Sequence, residues 1–503
     1  MGDNIDKFKI LRDVFGYDSF RPGQQEIVER LIRGENVLAV MPTGSGKSLC
    51  FQIPALVCGG LCVVVSPLVA LMQDQVSTLK LEGIAAETIN SAQSREDNVE
   101  IWKRVAAGQV SFLYLAPERL MTERMLSALA RLDVRLIAID EAHCISQWGA
   151  SFRPEYDALQ NLRQHFPNVP IGAFTATADE ATRRDIALKL FGGKAHIYLA
   201  GFDRPNIRLM VAPKTNPTKQ LLAFLEDHKD ECGIVYALSR KRTEQLAEDL
   251  NAAGFKALPY HAGLPAALRA ETQDRFMTEA GLIICATIAF GMGIDKPDVR
   301  FVFHADLPSN LESYYQEIGR AGRDGEAADA YMTFGMQDVV MRRKFITDEG
   351  SGDQRRRSEG IRLSKLVDFC KATECRRQAL LGYFGQQSKT CGNCDLCLGM
   401  EMQSNVQTKK QKRAAREQVF AADISAGSAE LLQRLKALRF KLAKARGVPA
   451  YVVFHDRSLI EMAKRKPLTL MDIGEISGVG AAKLEQFGKI FLGEIAAHIE
   501  AAF

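Results

Sequence analysis

Short runs of consecutive apolar residues, rather than alternating ones, recur through the first two-thirds of the chain. They lie at 37–40, 61–66, 111–115, 136–140 and 171–175, and each stops in polar or small residues. Helical patterns fill the intervals. Strands apolar on both faces predict a parallel sheet covered by helices on both sides. The pattern restarts after Gly201-Phe202-Asp203-Arg204-Pro205-Asn206, with runs at 233–237, 257–260, 282–285, 299–304 and 330–334. Two α/β domains in tandem are therefore expected, over 1–204 and 205–335. Beyond Phe334 the strands stop. Residues 336–370 read as charged helix and lead into a cysteine-rich segment, which together make a module over 336–400. A polar, basic linker over 401–427 precedes a compact all-helical pattern over 428–503.

Composition narrows the class without changing that picture. A chain of 503 residues is long enough for roughly three to four domains. With 47% hydrophobic and 25% charged residues it is an ordinary globular protein. The net charge of +4 means that any nucleic-acid binding must come from local basic patches. The most apolar stretch, 55–72, is broken by Gly59-Gly60 and Ser66-Pro67, so it reads as a buried strand with turns and not a membrane span. The polar start, Met1-Gly2-Asp3-Asn4-Ile5-Asp6-Lys7, lacks a secretory pattern. Seven of the 11 cysteines are scattered singly. That fits a reducing cytosol with no disulfide framework.

Three local patterns carry phosphate chemistry. Met41-Pro42-Thr43-Gly44-Ser45-Gly46-Lys47-Ser48 lies between a strand and a helix start. Glycines there let backbone N–H groups approach phosphates, and the helix N-terminus adds positive potential. Lys47 would neutralise the β- and γ-phosphates of ATP and Ser48 would ligate Mg²⁺. The strict pattern has glycine where Met41 stands. Asp140-Glu141 closes the run at 136–140; Asp140 would hold Mg²⁺ through water and Glu141 would polarise the attacking water. Glu317-Ile318-Gly319-Arg320-Ala321-Gly322-Arg323-Asp324-Gly325 supplies two arginines in a glycine-rich loop. Arg320 and Arg323 suit stabilisation of γ-phosphate charge across a domain cleft.

The ordered set of motifs resembles the RecQ-type DNA helicases of superfamily 2, over nearly the whole chain. Phe15-Gly16-Tyr17-Asp18-Ser19-Phe20-Arg21-Pro22-Gly23-Gln24 resembles the adenine-recognition segment, in which Tyr17 and Arg21 would sandwich the base and Gln24 would read its edge. Ser66-Pro67-Leu68 and Ala116-Pro117-Glu118-Arg119-Leu120 resemble strand-tracking motifs. Thr175-Ala176-Thr177 resembles the motif linking hydrolysis to DNA movement. The stretch from Ala286 through Thr287 to Pro297, and that from Gln316 to Gly325, resemble the last two motifs. Residues 146–156 resemble the family's aromatic-rich loop, where Trp148 and Phe152 would stack on bases and Arg153 would pair with a phosphate or stack. Packing of Trp148 and Phe152 in the core is the other reading. The loop departs from the common form at Ala150-Ser151, where a His-Asp pair is frequent. The resemblance also implies that His143 senses ATP through Gln316 or its neighbours.

Cys375, Cys391, Cys394 and Cys397 follow a C-x15-C-x2-C-x2-C spacing. Four thiolates suit tetrahedral Zn²⁺ or an iron–sulfur cluster, and the family places zinc here. Cys370 is read as a bystander. Arg376 and Arg377 face either DNA or solvent. Residues 428–503 resemble the helicase-and-RNase-D C-terminal (HRDC) domain, where Gly478, Gly480 and Lys483 could bind a phosphate; protein docking is the alternative. A winged helix, usual between zinc module and HRDC domain, needs at least about 50 residues and finds no room. The basic run 409–416 is either a solvated linker or a salt-sensitive DNA contact.

The resemblance thus implies two RecA-like domains, a zinc-binding module and an HRDC-like domain. It implies an ATP-, Mg²⁺- and Zn²⁺-dependent 3′–5′ helicase acting on single-stranded and duplex DNA in recombination and repair. A monomer in the cytoplasm and nucleoid, with a single-stranded-DNA-binding protein as a possible partner, is expected. The alternatives are an RNA helicase, or a DNA translocase or annealing scaffold with weak unwinding.

Overall fold

The computed structural model describes residues 6–501 except 43, 68, 91–92, 147–152, 292–295, 349–352, 401–425, 447 and 449. Trp148, Phe152, Ala150-Ser151, Thr43, Leu68 and the basic run thus lie outside the described residues. Among the described residues the strands form two sheets. The first comprises β1 (Val37–Val40), β2 (Leu61–Val65), β3 (Ala86–Ile89), β4 (Phe112–Leu115), β5 (Val134–Ile139), β6 (Ile171–Thr175) and β7 (His196–Leu199). The second comprises β8 (Ile207–Pro213), β9 (Cys232–Tyr236), β10 (Lys256–Tyr260), β11 (Leu282–Ala286), β12 (Val299–His304) and β13 (Ala328–Phe334). Their orders are β3-β4-β2-β5-β6-β1-β7 and β10-β11-β9-β12-β13-β8, and every pairing is parallel.

Alternate residues of one strand enter two different cores. Val37 and Ala39 pack with Phe51 and Phe174 on one face, and Leu38 and Val40 with Ile137 and Ile139 on the other. Both faces are covered, as the apolar runs predict. The runs missed β3, β7 and β8, which are edge strands. Here β3 buries Glu87, paired with Lys80 and Arg104 at 3.0 and 2.8 Å, and β7 is half-exposed. Edge strands need no continuous apolar signature. Strands β5, β6 and β1 lie side by side, so their C-terminal ends bring the acid pair, Thr175-Ala176-Thr177 and the glycine-rich loop together.

The zinc-module helices Asp353–Cys370 and Arg376–Tyr383 pack against the second domain. Asp395 beside Cys394 pairs with the free edge of β8: its N–H donates to Leu209 O and its carboxylate accepts from Val211 N–H, both at 3.0 Å. That covers an edge which would otherwise be open. Arg376 and Arg377 are buried, which corrects both readings of them. Arg376 grips the Asp395 carboxylate at 2.6 and 2.8 Å, and Arg377 binds Asp203 at 2.8 Å.

The C-terminal helices, from Ala426–Arg446 to Lys489–Ala501, have their own core around Leu435, Phe454, Phe487 and Phe491. This unit docks on the first domain. The Gly478 N–H donates to Gly16 O at 2.6 Å, Lys483 Nζ lies 2.7 Å from Glu82 Oε1, and the Tyr451 hydroxyl donates to the Asp74 carboxylate at 3.0 Å. A Cβ at Gly480 would sit 2.2 Å from Val14 O. The phosphate reading, one of the two open for this unit, is therefore corrected at Gly478 and Lys483, whose donors are taken by a backbone carbonyl and a buried carboxylate. Removing one partner of a buried pair typically costs about 3 kcal/mol or more. Lys483→Met should accordingly release the C-terminal unit, seen as a larger radius of gyration in small-angle scattering. Unchanged scattering and melting temperature would refute the dock.

Candidate active site and metal centre

The glycine-rich loop turns between β1 and the helix Leu49–Cys58. Gly44 and Gly46 adopt φ of 78° and 80°, values that favour glycine. At Gly46 a Cβ would come within 2.4 Å of Gln24 Nε2. That amide donates to Ser45 O at 2.9 Å and Gly46 O at 3.1 Å, and its oxygen accepts the Arg21 N–H at 2.9 Å. Arg21 Nη1 reaches Gly44 O at 2.5 Å. The segment read as base-recognising thus grips the phosphate loop itself, with Tyr17 half-buried alongside. Lys47 Nζ donates to Met41 O at 3.1 Å and Pro42 O at 3.3 Å, at the mouth of the loop. Ser48 caps the following helix.

The acid pair closes β5. Asp140 donates its N–H to Val65 O at 2.8 Å, and Glu141 takes φ of 49°, a strained value for a residue with a side chain. Burial, then the Glu141 charge, push Asp140 up to about 7. Burial acts the same way on Glu141, but His143, Lys47 and Arg320 outweigh it and hold that carboxylate down at about 2.

From Glu141 a line of polar contacts crosses to the second domain. His143 Nδ1 lies 3.2 Å from Glu141 Oε2 and 2.9 Å from Thr175 Oγ1. The Thr175 hydroxyl donates to Thr177 O at 3.1 Å, and Gln316 Nε2 donates to Thr177 Oγ1 at 2.7 Å. Gln316 sits on the helix Leu311–Ile318. Past that helix, Arg320 is buried and bonds Gly291 O. Arg323 lies against the glycine-rich loop, its Cγ 3.5 Å from where a Gly44 Cβ would be. Two further predicted residues make contacts of their own. Thr287, at the end of β11, accepts from Ala289 N–H at 3.4 Å. Arg153 donates to Pro67 O at 3.2 Å and so ties the end of the aromatic loop to the Ser66-Pro67 motif.

The four cysteine sulfurs lie within 4.8 Å of one another, with Cys391 and Cys397 at 3.9 Å. Tetrahedral Zn–S bonds of about 2.3 Å require sulfurs about 3.8 Å apart, so the set fits zinc. Backbone N–H groups of Cys391, Asn393 and Cys397 point at Cys375, Cys391 and Cys394 sulfurs at 3.3–3.4 Å, which favours thiolates. Cys370 is buried outside the set.

Known proteins agree with this arrangement. Residues 21–186 match the DEAD/DEAH box helicase family, 214–325 the helicase conserved C-terminal domain, 336–398 the RecQ zinc-binding domain and 428–495 the HRDC domain. The ATP-dependent DNA helicase RecQ of Haemophilus influenzae is 36% identical, over 97% of this chain and 95% of its own. That of Bacillus subtilis is 33% identical, over 97% and 98%. The chain belongs to the RecQ family. It is an ATP-dependent DNA helicase with a zinc-binding module. Among solved structures, DUF1998 helicase MrfA bound to DNA aligns with a TM-score of 0.55 at 20% identity, covering 69% of this chain and 51% of that one. DEAD-box helicase Mss116 bound to ssRNA and UDP-BeF gives 0.55 at 17%, covering 69% and 78%. Both share the fold.

Within the RecQ family this chain is short in its interior. The alignment with the H. influenzae protein spans 591 positions against 503 residues here, and 591 less 503 leaves at least 88 positions that only the relative fills. Only residues 399–427 separate the zinc-binding and HRDC matches. Among the described residues no helix is long and apolar enough to cross a membrane. Reading the sequence passed over Arg204 and Asn206, which serve there only as a boundary; polar side chains inside a Gly/Pro connector were the available signal. Cys375→Ser should remove one thiolate, lower bound zinc measured by chelator release, and lower the melting temperature. Full zinc retention would refute the four-cysteine centre.

Proposed function

We propose that this RecQ-family helicase hydrolyses Mg²⁺-ATP between its two sheets and moves 3′ to 5′ along single-stranded DNA, separating duplex ahead of it. The observation that carries the mechanism is the contact line Glu141–His143–Thr175–Thr177–Gln316, with Arg323 laid against Gly44. Lys47 and the loop from Thr43 to Ser48 bind the phosphates, while Tyr17, Arg21 and Gln24 hold the base. Ser48 and Asp140 would hold Mg²⁺, which would add positive charge beside the phosphates to that of Lys47. Glu141 orients the attacking water, and Arg320 and Arg323 stabilise γ-phosphate charge when the domains close. His143 and Gln316 report that state across the cleft. Trp148, Phe152, Arg153 and Thr287 contact or couple to the strand. Polarity, a place in recombination and repair, action as a cytoplasmic, nucleoid-associated monomer and contact with a single-stranded-DNA-binding protein follow from the family likeness. The domain division is 1–204, 205–335, 336–400, 401–427 and 428–503.

The short interior favours a second reading, a translocase that unwinds weakly. Unwinding of 3′-tailed, 5′-tailed and forked duplexes separates the two. Unwinding of the 3′-tailed duplex supports the helicase; DNA-stimulated hydrolysis with no unwinding of any substrate supports the translocase. Glu141→Gln should retain nucleotide binding and lose turnover by roughly 10²-fold or more. Hydrolysis at the parental rate by that variant would sink the assignment of the water-orienting carboxylate.

A further inference from the structure

The connector between the two sheets, residues 201–206, is engaged along its length. Arg204 Nη1 donates to Gly319 O at 3.3 Å, and its Nη2 to Ala321 O at 2.8 Å and Gly322 O at 2.9 Å. Asn206 Nδ2 donates to Gly322 O and Glu326 O, both at 2.8 Å. All four carbonyls belong to the loop between the helix Leu311–Ile318 and β13, the loop that carries Arg320 and Arg323. Gly322 has φ of 57°, and a Cβ there would lie 2.4 Å from Asn206 Nδ2. The loop therefore closes directly onto the connector.

The connector is held from its other side. Arg377 Nη1 binds the Asp203 carboxylate at 2.8 Å and Arg204 O at 2.5 Å, and its Nη2 binds Ile207 O at 2.5 Å. The Phe202 ring stacks on Phe384 at 4.6 Å, its N–H donates to Gln386 Oε1 at 2.6 Å, and its carbonyl accepts the Tyr315 hydroxyl at 2.9 Å. Tyr315 precedes Gln316 on the same helix. A guanidinium is well suited to this place, since its planar fork reaches three carbonyls at once; a lysine offers a single point of donation. A loop that must place charge against a transferring phosphate needs positional tolerance of about 0.5 Å, and a 1 Å misplacement can cost about 10²-fold in rate.

We propose that Arg204 and Asn206 are positioning residues for ATP turnover: they tie down the carbonyls of the loop 319–326 and so aim Arg320 and Arg323, with Arg377 anchoring them. This rests on the reading of Arg320 and Arg323 as γ-phosphate ligands. The base and phosphate-loop contacts all lie in the first domain, so loss of Arg204 slows the chemical step and spares nucleotide binding.

The test uses the full chain with Mg²⁺-ATP and a single-stranded oligonucleotide. Arg204→Lys, Asn206→Ala, Arg320→Ala, Arg323→Ala and the double Arg204→Lys/Arg323→Ala are compared for DNA-stimulated kcat, affinity for a fluorescent ADP analogue, and zinc content. Arg204→Lys should lose about 10- to 100-fold in kcat and keep ADP affinity and zinc within about twofold. The double variant should be slower than Arg323→Ala alone by less than the full Arg204→Lys loss, because part of that loss runs through Arg323 and the rest through Arg320. A parental kcat in Arg204→Lys beside an impaired Arg323→Ala overturns the positioning role, as does a double variant slower by the product of the single losses. Parental rates in both Arg320→Ala and Arg323→Ala overturn the underlying γ-phosphate reading, and this proposal with it. Should Arg204→Lys fail to fold, Asn206→Ala, paired with Arg323→Ala, carries the same comparison.

Discussion

Two adjacent carboxylates end a strand that is buried on both faces, and the surrounding architecture answers the charge placed there. Burial disfavours ionisation of Asp140 and Glu141 alike. His143 and Lys47 of its own domain act together with Arg320 of the other to hold the Glu141 carboxylate down. The compensation is thus divided between two sheets. The charge acting on Glu141 therefore depends on the placement of both domains. The contact line through Thr175 and Thr177 to Gln316 gives that dependence a physical route.

The remaining modules bear on the same geometry. The zinc-binding segment covers the edge of β8 and, through Arg377, holds the connector. The C-terminal unit grips the first domain at Gly16, next to Tyr17, and at Asp74 and Glu82. Both attachments are made by buried polar groups. Such groups contribute less to stability than their Coulomb energy suggests, because each was desolvated to form them. They do penalise misregistered arrangements, since a slipped contact leaves a buried charge or carbonyl without its partner.

The chemistry that lies within one turn or loop was legible in the sequence. The glycine-rich loop, Asp140-Glu141, the arginines at 320 and 323 and the closely spaced cysteines announce themselves, since ligand spacing along the chain is itself the geometry. Central strands were legible because burial on both faces leaves an unbroken apolar run. The edges β3 and β7 were not, because Glu87 interrupts one and the other is half-exposed; β8 was passed over although it carries the apolar run Leu209-Met210-Val211-Ala212. Arg376 and Arg377 looked like surface charge; a carboxylate 19 residues away, Asp395, and a connector some 170 residues away made them interior. Lys483 and Gly478 misled for the same reason. A cation beside glycines describes a phosphate site and an ion-paired dock equally well until the partner surface is known.

The aromatic loop is anchored at both of its described ends beside the acid pair. At one end His143 touches both Glu141 and Thr175, and Cys144 O accepts the Arg153 N–H at 3.0 Å. At the other end the Arg153 guanidinium reaches Pro67 O, while the Tyr156 hydroxyl donates to Asp140 O at 3.1 Å. The loop therefore begins and ends on the acid pair's own neighbours. A base stacked on Trp148 or Phe152 would bear on a segment whose two roots are hydrogen-bonded around Asp140 and Glu141. Both described ends of the loop thus lie within one hydrogen bond of the acid pair or its immediate neighbours.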